Sequence, residues 1–269
     1  MKRNILVVVA VTVLAACGIS TQQEVEMGQT YSQQINAQLP IVSDPEINRY
    51  INVLGDSIAK LSDERNLDWR FYIVDNRDVN AFAVPGGFIY INRGLIERAQ
   101  NMSMLAGVLG HEIGHVIERH SVQQMEKMQQ AQIGVTLACI LTRVCENQAT
   151  GALIDVAGTA VFAKFSRDDE READRDGITY VTRAGIDPRG IPAMFRVLIA
   201  ERNRQSSAVE SWFSTHPLEE ERVQETEAII KQIDEAILET LTTDTQRYQE
   251  FRNRLRSLPP PPATPRRQS

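Results

Sequence analysis

No stretch of this chain is apolar enough for long enough to cross a bilayer as a helix. Its most apolar internal segments, Ile133 to Leu141 and Ala152 to Phe165, each fall short of the roughly 20 residues a crossing requires. Separated by Arg143 and Glu146, they read as a buried helical hairpin or a surface that touches lipid. Excess basic charge is also missing: a formal net charge of −6 and a pI near 5.4 argue against a nucleic-acid binder, which needs a positive footprint. There is no internal repeat, and the three cysteines include no Cys-x-x-Cys pair, so none is a convincing zinc ligand. Only four histidines are present, and two of them stand together.

Those two lie in His111-Glu112-Ile113-Gly114-His115, an HExxH pattern inside a stretch that reads as one helix. At 100° per residue the imidazoles project about 40° apart, one turn from each other, which suits two nitrogen donors of a single Zn²⁺. Leu105, Val108, Leu109 and Val116 share a flank, and Glu112 falls inside that apolar sector. A carboxylate placed there is costly unless it has chemistry to perform. Gly107, Gly110 and Gly114 form a third strip. Each costs about 1 kcal/mol against alanine in a helix, so the strip implies close approach of another backbone or of a substrate. His120 projects about 140° from His115 on a continued helix and reads as a surface residue. Glu118 and Ser121 stand where a metzincin would need glycine and histidine, which excludes that family.

The third ligand is sought in the run Ser166 to Asp174, a charged segment with helical spacing that continues to Ala184 and stops at Gly185. Asp168, Asp169, Arg171, Glu172, Arg175 and Asp176 fall on an outer side and need only solvent. Glu170 and Asp174, at i and i+4, share the small, apolar side with Ala173, Gly177 and Val181. Two carboxylates facing a core repel each other unless a cation joins them, so a metal and a ligating histidine are natural partners. Glu170 is assigned as the third ligand. Asp174 is assigned to the free N–H of one ligating histidine, whose tautomer it would fix.

Asn80-Ala81-Phe82-Ala83-Val84 is short and hydrophobic, Pro85-Gly86-Gly87 is a turn, and Phe88-Ile89-Tyr90-Ile91 has strand composition. Together they predict two strands around a tight reversal. An extended peptide could add along such an edge by backbone hydrogen bonds; the alternative is an ordinary hairpin. With Ser214-Thr215-His216-Pro217 and Arg222 further on, these motifs fall in an order that resembles the zinc metallopeptidases of family forty-eight, the gluzincins that include the CAAX prenyl protease and HtpX. The resemblance spans about Asn80 to Arg222. It implies an α+β, mostly helical, zincin-like fold with the active-site helix packed on a small sheet. It also implies one Zn²⁺ per chain on His111, His115 and Glu170, with Glu112 as general base and Asn80, Ala81, Phe82 and Ala83 along the substrate. His216 would face the zinc, as an oxyanion donor or as a blocking fourth ligand. Arg222 would help to bind or orient the substrate carbonyl, with a salt bridge as its alternative.

Lys2 and Arg3 precede an apolar stretch from Ile5 to Ala16, broken only by Thr12, which ends Leu14-Ala15-Ala16-Cys17. That is the pattern of a signal-peptide core followed by a lipobox-like site, so Cys17 is expected to be acylated and to tie the chain to a membrane by lipid. Gly18, where an aspartate would retain a lipoprotein at the inner membrane, favours the periplasmic face of the outer membrane. The resemblance is accordingly to the periplasmic lipoprotein branch of the family, and to members without helical repeats after the catalytic region. The expected organisation is a lipoprotein signal (1–17), a metallopeptidase domain (18–258) and a disordered, proline-rich tail (259–269). Cys139 and Cys145 then remain as an even pair, bridged across a turn or left as two buried thiols. A helix from Asp44 to Asp63 with Ile47, Tyr50, Ile51, Leu54, Ile58 and Leu61 in register should pack across a sheet from about Asp68 to Asn92. Two amphipathic helices should follow Pro217. The expected function is an endopeptidase of loose preference acting on misfolded or unassembled envelope proteins. The alternative is an assembly factor that captures exposed strands at the same groove with a latent zinc site.

Overall fold

The computed structural model describes residues 18–129, 164–204, 207–217 and 220–261. The expectations for Cys17, for Cys139 and Cys145, for Ile133 to Leu141, for residues 152–163 and for the tail from 262 onward lie outside them.

Among the described residues two helices precede the sheet. Helix α1 (Thr21–Gln38) begins at a capping box: the Ser20 side chain accepts from the Gln23 amide while the Gln23 side chain accepts from the Ser20 amide, which satisfies two donors a helix start leaves open. Helix α2 (Pro45–Ala59) is capped by Asp44, whose carboxylate accepts from the Glu46 and Ile47 amides. Pro45 sits where a missing N–H costs nothing. Ile47, Ile51, Leu54 and Ile58 are buried in register, but the helix stops at Ala59, short of the expected Asp63, and Leu61 is left exposed.

The sheet has order β1-β3-β2, from β1 (Arg70–Val74), β2 (Ala81–Val84) and β3 (Phe88–Asn92), with β1 parallel and β2 antiparallel to β3. The β2–β3 reversal runs through Gly86 (φ 83°) and Gly87 (φ 99°), a backbone region that side chains disfavour. Alternate residues serve two apolar layers. Phe71, Ile73, Ala81, Ala83, Ile89 and Ile91 join the main core. Val74, Phe82, Val84, Phe88 and Tyr90 form a second cluster against Met27, Tyr31 and Ile35 of α1.

The remaining elements are α3 (Arg93–Arg98), α4 (Met102–Ile117), a helical stretch at 120–129, α5 (Arg167–Arg183), α6 (Gly190–Asn203), a short 3₁₀ turn (Ser207–Val209), α7 (Glu210–Thr215), α8 (Glu220–Ile230), α9 (Glu235–Leu238) and α10 (Gln246–Ser257). Among the described residues three helices thus follow Pro217 where two were expected, because the single turn α9 starts afresh at its own cap, Asp234. No helix among the described residues is long and apolar enough to cross a membrane.

Helix α4 is buried from Met102 to Val116 and packs on α5, α6, α2 and the β2 side of the sheet. Its glycine strip admits helix backbone, not substrate. A Cβ on Gly110 would stand 3.1 Å from the Gly177 carbonyl oxygen, and one on Gly114 would stand 3.1 Å from Ala173 Cα. This close approach lets short side chains of α4 and α5 meet.

Helix α5 opens on a capping box between Ser166 and Asp169 and stops before Gly185 at φ 74°. Asp176 departs from the solvated outer side assigned to it: it is partly buried, and its Oδ2 has no partner. Burial, then the charges of Glu118 and Glu172, push its pKa up to about 6. An acid whose pKa rises on folding weakens the fold increasingly as pH climbs from about 4 through about 6, and fully above that. Asp176→Asn should therefore stabilise the chelator-treated protein by about 1 kcal/mol at pH 7.5, after discounting for solvent screening, and should leave it unchanged at pH 4. Denaturant unfolding at the two pH values checks this.

Candidate metal centre

Helices α4 and α5, with the residue that ends α7, aim four buried donors at one point. His111 Nε2 and His115 Nε2 are 3.1 Å apart. Glu170 Oε1 lies 3.3 Å from His115 Nε2, and Oε2 lies 3.6 Å from His111 Nε2. His216 Nδ1 is 3.0 Å from Glu170 Oε1 and 3.4 Å from His111 Nε2. One ligand atom from each residue lies within 4.8 Å of all the others, and no member is more than 1% exposed.

The donor set fits a zinc ion. Two nitrogens bound tetrahedrally at about 2.0–2.1 Å stand about 3.3 Å apart, close to the observed separation of the two Nε2 atoms. Burial, ahead of every partner, holds His115 well below the usual histidine pKa, so its imidazole is neutral, the form that ligates. Asp174 Oδ1 lies 2.9 Å from His111 Nδ1. A carboxylate accepts, so His111 carries its proton on Nδ1 and turns the Nε2 lone pair into the cluster.

Glu112 is fully buried, and both its carboxylate oxygens lack a partner. His216 Nε2, also without a partner, stands 3.6 Å from Glu112 Oε1. Burial raises the Glu112 pKa, and the charges of His216 and His111 only partly oppose it. Orphaned buried groups of this kind call for a partner from outside the chain, such as water or a polar ligand.

Arg222 makes the salt bridges that were the alternative to a substrate contact. It is buried, and its Nε and Nη2 donate to Asp174 Oδ2 and Oδ1, both at 2.7 Å, while Nη1 donates to Glu170 Oε2 at 2.5 Å and to the Pro217 carbonyl at 2.8 Å. Burial raises the pKa of both acids, yet Arg222 acting on Asp174, and His216 with Arg222 acting on Glu170, outweigh it and hold both below the carboxylate range, Glu170 well below.

His120 is not a surface residue. Helix α4 ends at Ile117 and Arg119 takes φ 59°, which abandons the helical register, and His120 is only 1% exposed. Two aromatic residues that sequence reasoning missed close the site. Phe165 stacks on His115 with ring centres 3.9 Å apart, and Trp212 stacks on His216 at 4.7 Å.

Strand β2 is an edge strand beside α4, and Ala83, Val84 and Pro85 line a narrow cleft with His115. Ala81 and Ala83 face the main core and Phe82 the second cluster. The Asn80 carbonyl accepts from the Asn92 amide at 2.9 Å. The strand is buried along its whole length.

Comparison with known sequences places these residues in a family. Over 218 residues the chain is 35% identical to the beta-barrel assembly-enhancing protease of Yersinia pestis, covering 78% of this chain and 44% of that protein. It is 32% identical over 147 residues to metalloprotease YcaL of Escherichia coli, covering 55% of this chain and 56% of that one. It is 25% identical over 177 residues to the mitochondrial metalloendopeptidase OMA1 of Bos taurus, covering 62% and 33%. The chain thus spans less than half the length of the assembly-enhancing proteases it matches. The sequence profile of peptidase family M48 matches residues 45–230, a span that takes in all four donors and most of the chain, and the chain belongs to that family.

Proposed function

We propose that this chain is a zinc-dependent endopeptidase of the bacterial envelope, hydrolysing peptide bonds of misfolded or unassembled envelope proteins. The observation that carries the chemistry is the Glu112 carboxylate, without a hydrogen-bond partner, beside a buried His111, His115 and Glu170 donor set. Those three residues would hold the ion, which when bound supplies Lewis acidity, polarising a carbonyl and lowering the pKa of a water to about 7. Glu112, with its raised pKa, is suited to take a proton from the attacking water and return it to the leaving amine. An extended peptide laid along β2 would be held by backbone hydrogen bonds. Because the β2 side chains point into the two cores, such an edge gives little sequence preference. The lipobox-like sequence ending in Cys17 and the name of the assembly-enhancing relatives support attachment at the periplasmic face of the outer membrane and substrates found there.

The closure of the site by Phe165 and Trp212 favours a second reading, an assembly factor that binds exposed strands while the zinc site is latent. Metal analysis with casein and denatured envelope protein as substrates tests the enzyme. One zinc per chain is expected, with cleavage lost on chelation and restored by zinc. A chain that lacks stoichiometric zinc, or cleavage indifferent to chelator, would overturn it.

A further inference from the structure

We infer that His120 is a positioning residue for the metal centre, fixing the tautomer and ring orientation of His115, and that a clasp between Arg119 and Glu24 puts it there. The inference rests on the zinc reading above and adds a residue to it.

His120 Nδ1 lies 2.8 Å from His115 Nδ1. One proton must sit between these nitrogens, and the far side of His120 decides which ring carries it. His120 Nε2 is 3.3 Å from Glu172 Oε2 and 3.9 Å from Asp169 Oδ1. Ionised carboxylates only accept, so His120 bears its proton on Nε2 and offers Nδ1 as a lone pair. His115 must then donate from Nδ1, and its Nε2, the atom facing Glu170 and His111, is left bare for a metal. The hydrogen bonds run from His115 to His120 to Glu172. The two histidine ligands thus have unlike supports, a carboxylate for His111 and an imidazole for His115.

A continued α4 would carry His120 away from His115. The break is made at Arg119, whose left-handed backbone is disfavoured in a residue other than glycine. Its side chain secures that conformation. Arg119 Nε donates to Glu24 Oε2 at 2.8 Å, and its guanidinium also donates to the Ile19 carbonyl. Glu24 is fully buried and is held in turn by Arg65 Nη1 at 3.0 Å. Arg65 Nη2 donates to the Val116 carbonyl at 2.7 Å, which also accepts from the Arg119 amide at 3.1 Å.

The test compares two variants of the whole chain by zinc competition against a chromogenic chelator and by thermal unfolding of the metal-free forms. His120→Asn places an amide oxygen near the position of Nδ1 and keeps an acceptor, whereas His120→Leu keeps bulk without one. Zinc affinity should fall about 10- to 100-fold in His120→Leu and stay within roughly threefold in His120→Asn, the scale on which outer partners of ligating histidines act. The metal-free unfolding midpoints of the two should agree. Equal losses in both variants, or wild-type affinity in His120→Leu, would overturn the role. If either variant does not fold, long-range proton–nitrogen correlation on the wild-type chain decides: protons on His115 Nδ1 and His120 Nε2 support the role, and a proton on His120 Nδ1 refutes it. A wild-type chain that takes up no zinc removes the metal reading itself, whereas uptake with an indifferent His120→Leu removes only the role of His120.

Discussion

Glu112→Gln is expected to keep the fold and the zinc and to lower peptide hydrolysis by about 10²- to 10⁴-fold, the usual worth of a general acid–base group. The amide has the shape of the carboxylate but cannot take a proton from water. The ion pair lost with the charge, His216 Nε2 at 3.6 Å from Glu112 Oε1, is outweighed by burial, which raises the Glu112 pKa on balance. Removing a buried charge of this kind relieves desolvation, so the unfolding midpoint should hold or rise. Steady-state cleavage of a fluorogenic peptide, zinc stoichiometry and thermal unfolding on one preparation check all three. A variant that retains a tenth or more of the activity would exclude Glu112 as the base. One that cleaves nothing yet supports envelope assembly in full would favour the strand-capturing reading over the protease.

What could be read from the sequence was whatever local spacing determines. One turn separates His111 from His115 in any helix, the Pro85-Gly86-Gly87 reversal needs only its own backbone, and Glu170 with Asp174 stands out as charge on an apolar stripe. The glycine strip was legible as a demand for close approach, but that the partner is α5 depends on where Ala173 and Gly177 settle. His120 was misjudged because helical periodicity was extended past Arg119. The break there is held by Glu24, 95 residues away. The same logic explains Arg222, whose acceptors lie on another helix at 48 and 52 residues' distance. Helix α1 is a different case, since Ser20 and Gln23 form a local capping signal that stands directly behind the signal-like leader. Phe165 and Trp212 carry no local pattern that distinguishes an aromatic lid from core.

Arg222→Met should destabilise the metal-free chain by about 3–5 kcal/mol, the cost of stripping the partner from buried charges. The loss should also reach the metal. Without the guanidinium, burial dominates at Asp174, whose largest opposing influence is Arg222, and the carboxyl should take up a proton. A protonated Asp174 donates to His111 Nδ1 instead of accepting from it, which moves the imidazole proton to Nε2 and blunts that ligand. Zinc affinity should therefore fall together with stability, and zinc should recover part of the stability by binding the folded state. Lysine at this position would restore the charge but not the two-pronged contact with Asp174, so Arg222→Lys should recover only a fraction. The pH dependence has a definite sign. Folding lowers the pKa of both Asp174 and Glu170, so the stability Arg222 confers is present above the ordinary carboxylate range and is lost as pH falls through the folded values. Chemical unfolding of wild type and Arg222→Met should thus differ most near neutrality and converge in acid. A substrate-orienting arginine would give the opposite pattern, a raised KM with unchanged unfolding and unchanged zinc affinity, and that result would return Arg222 to the groove.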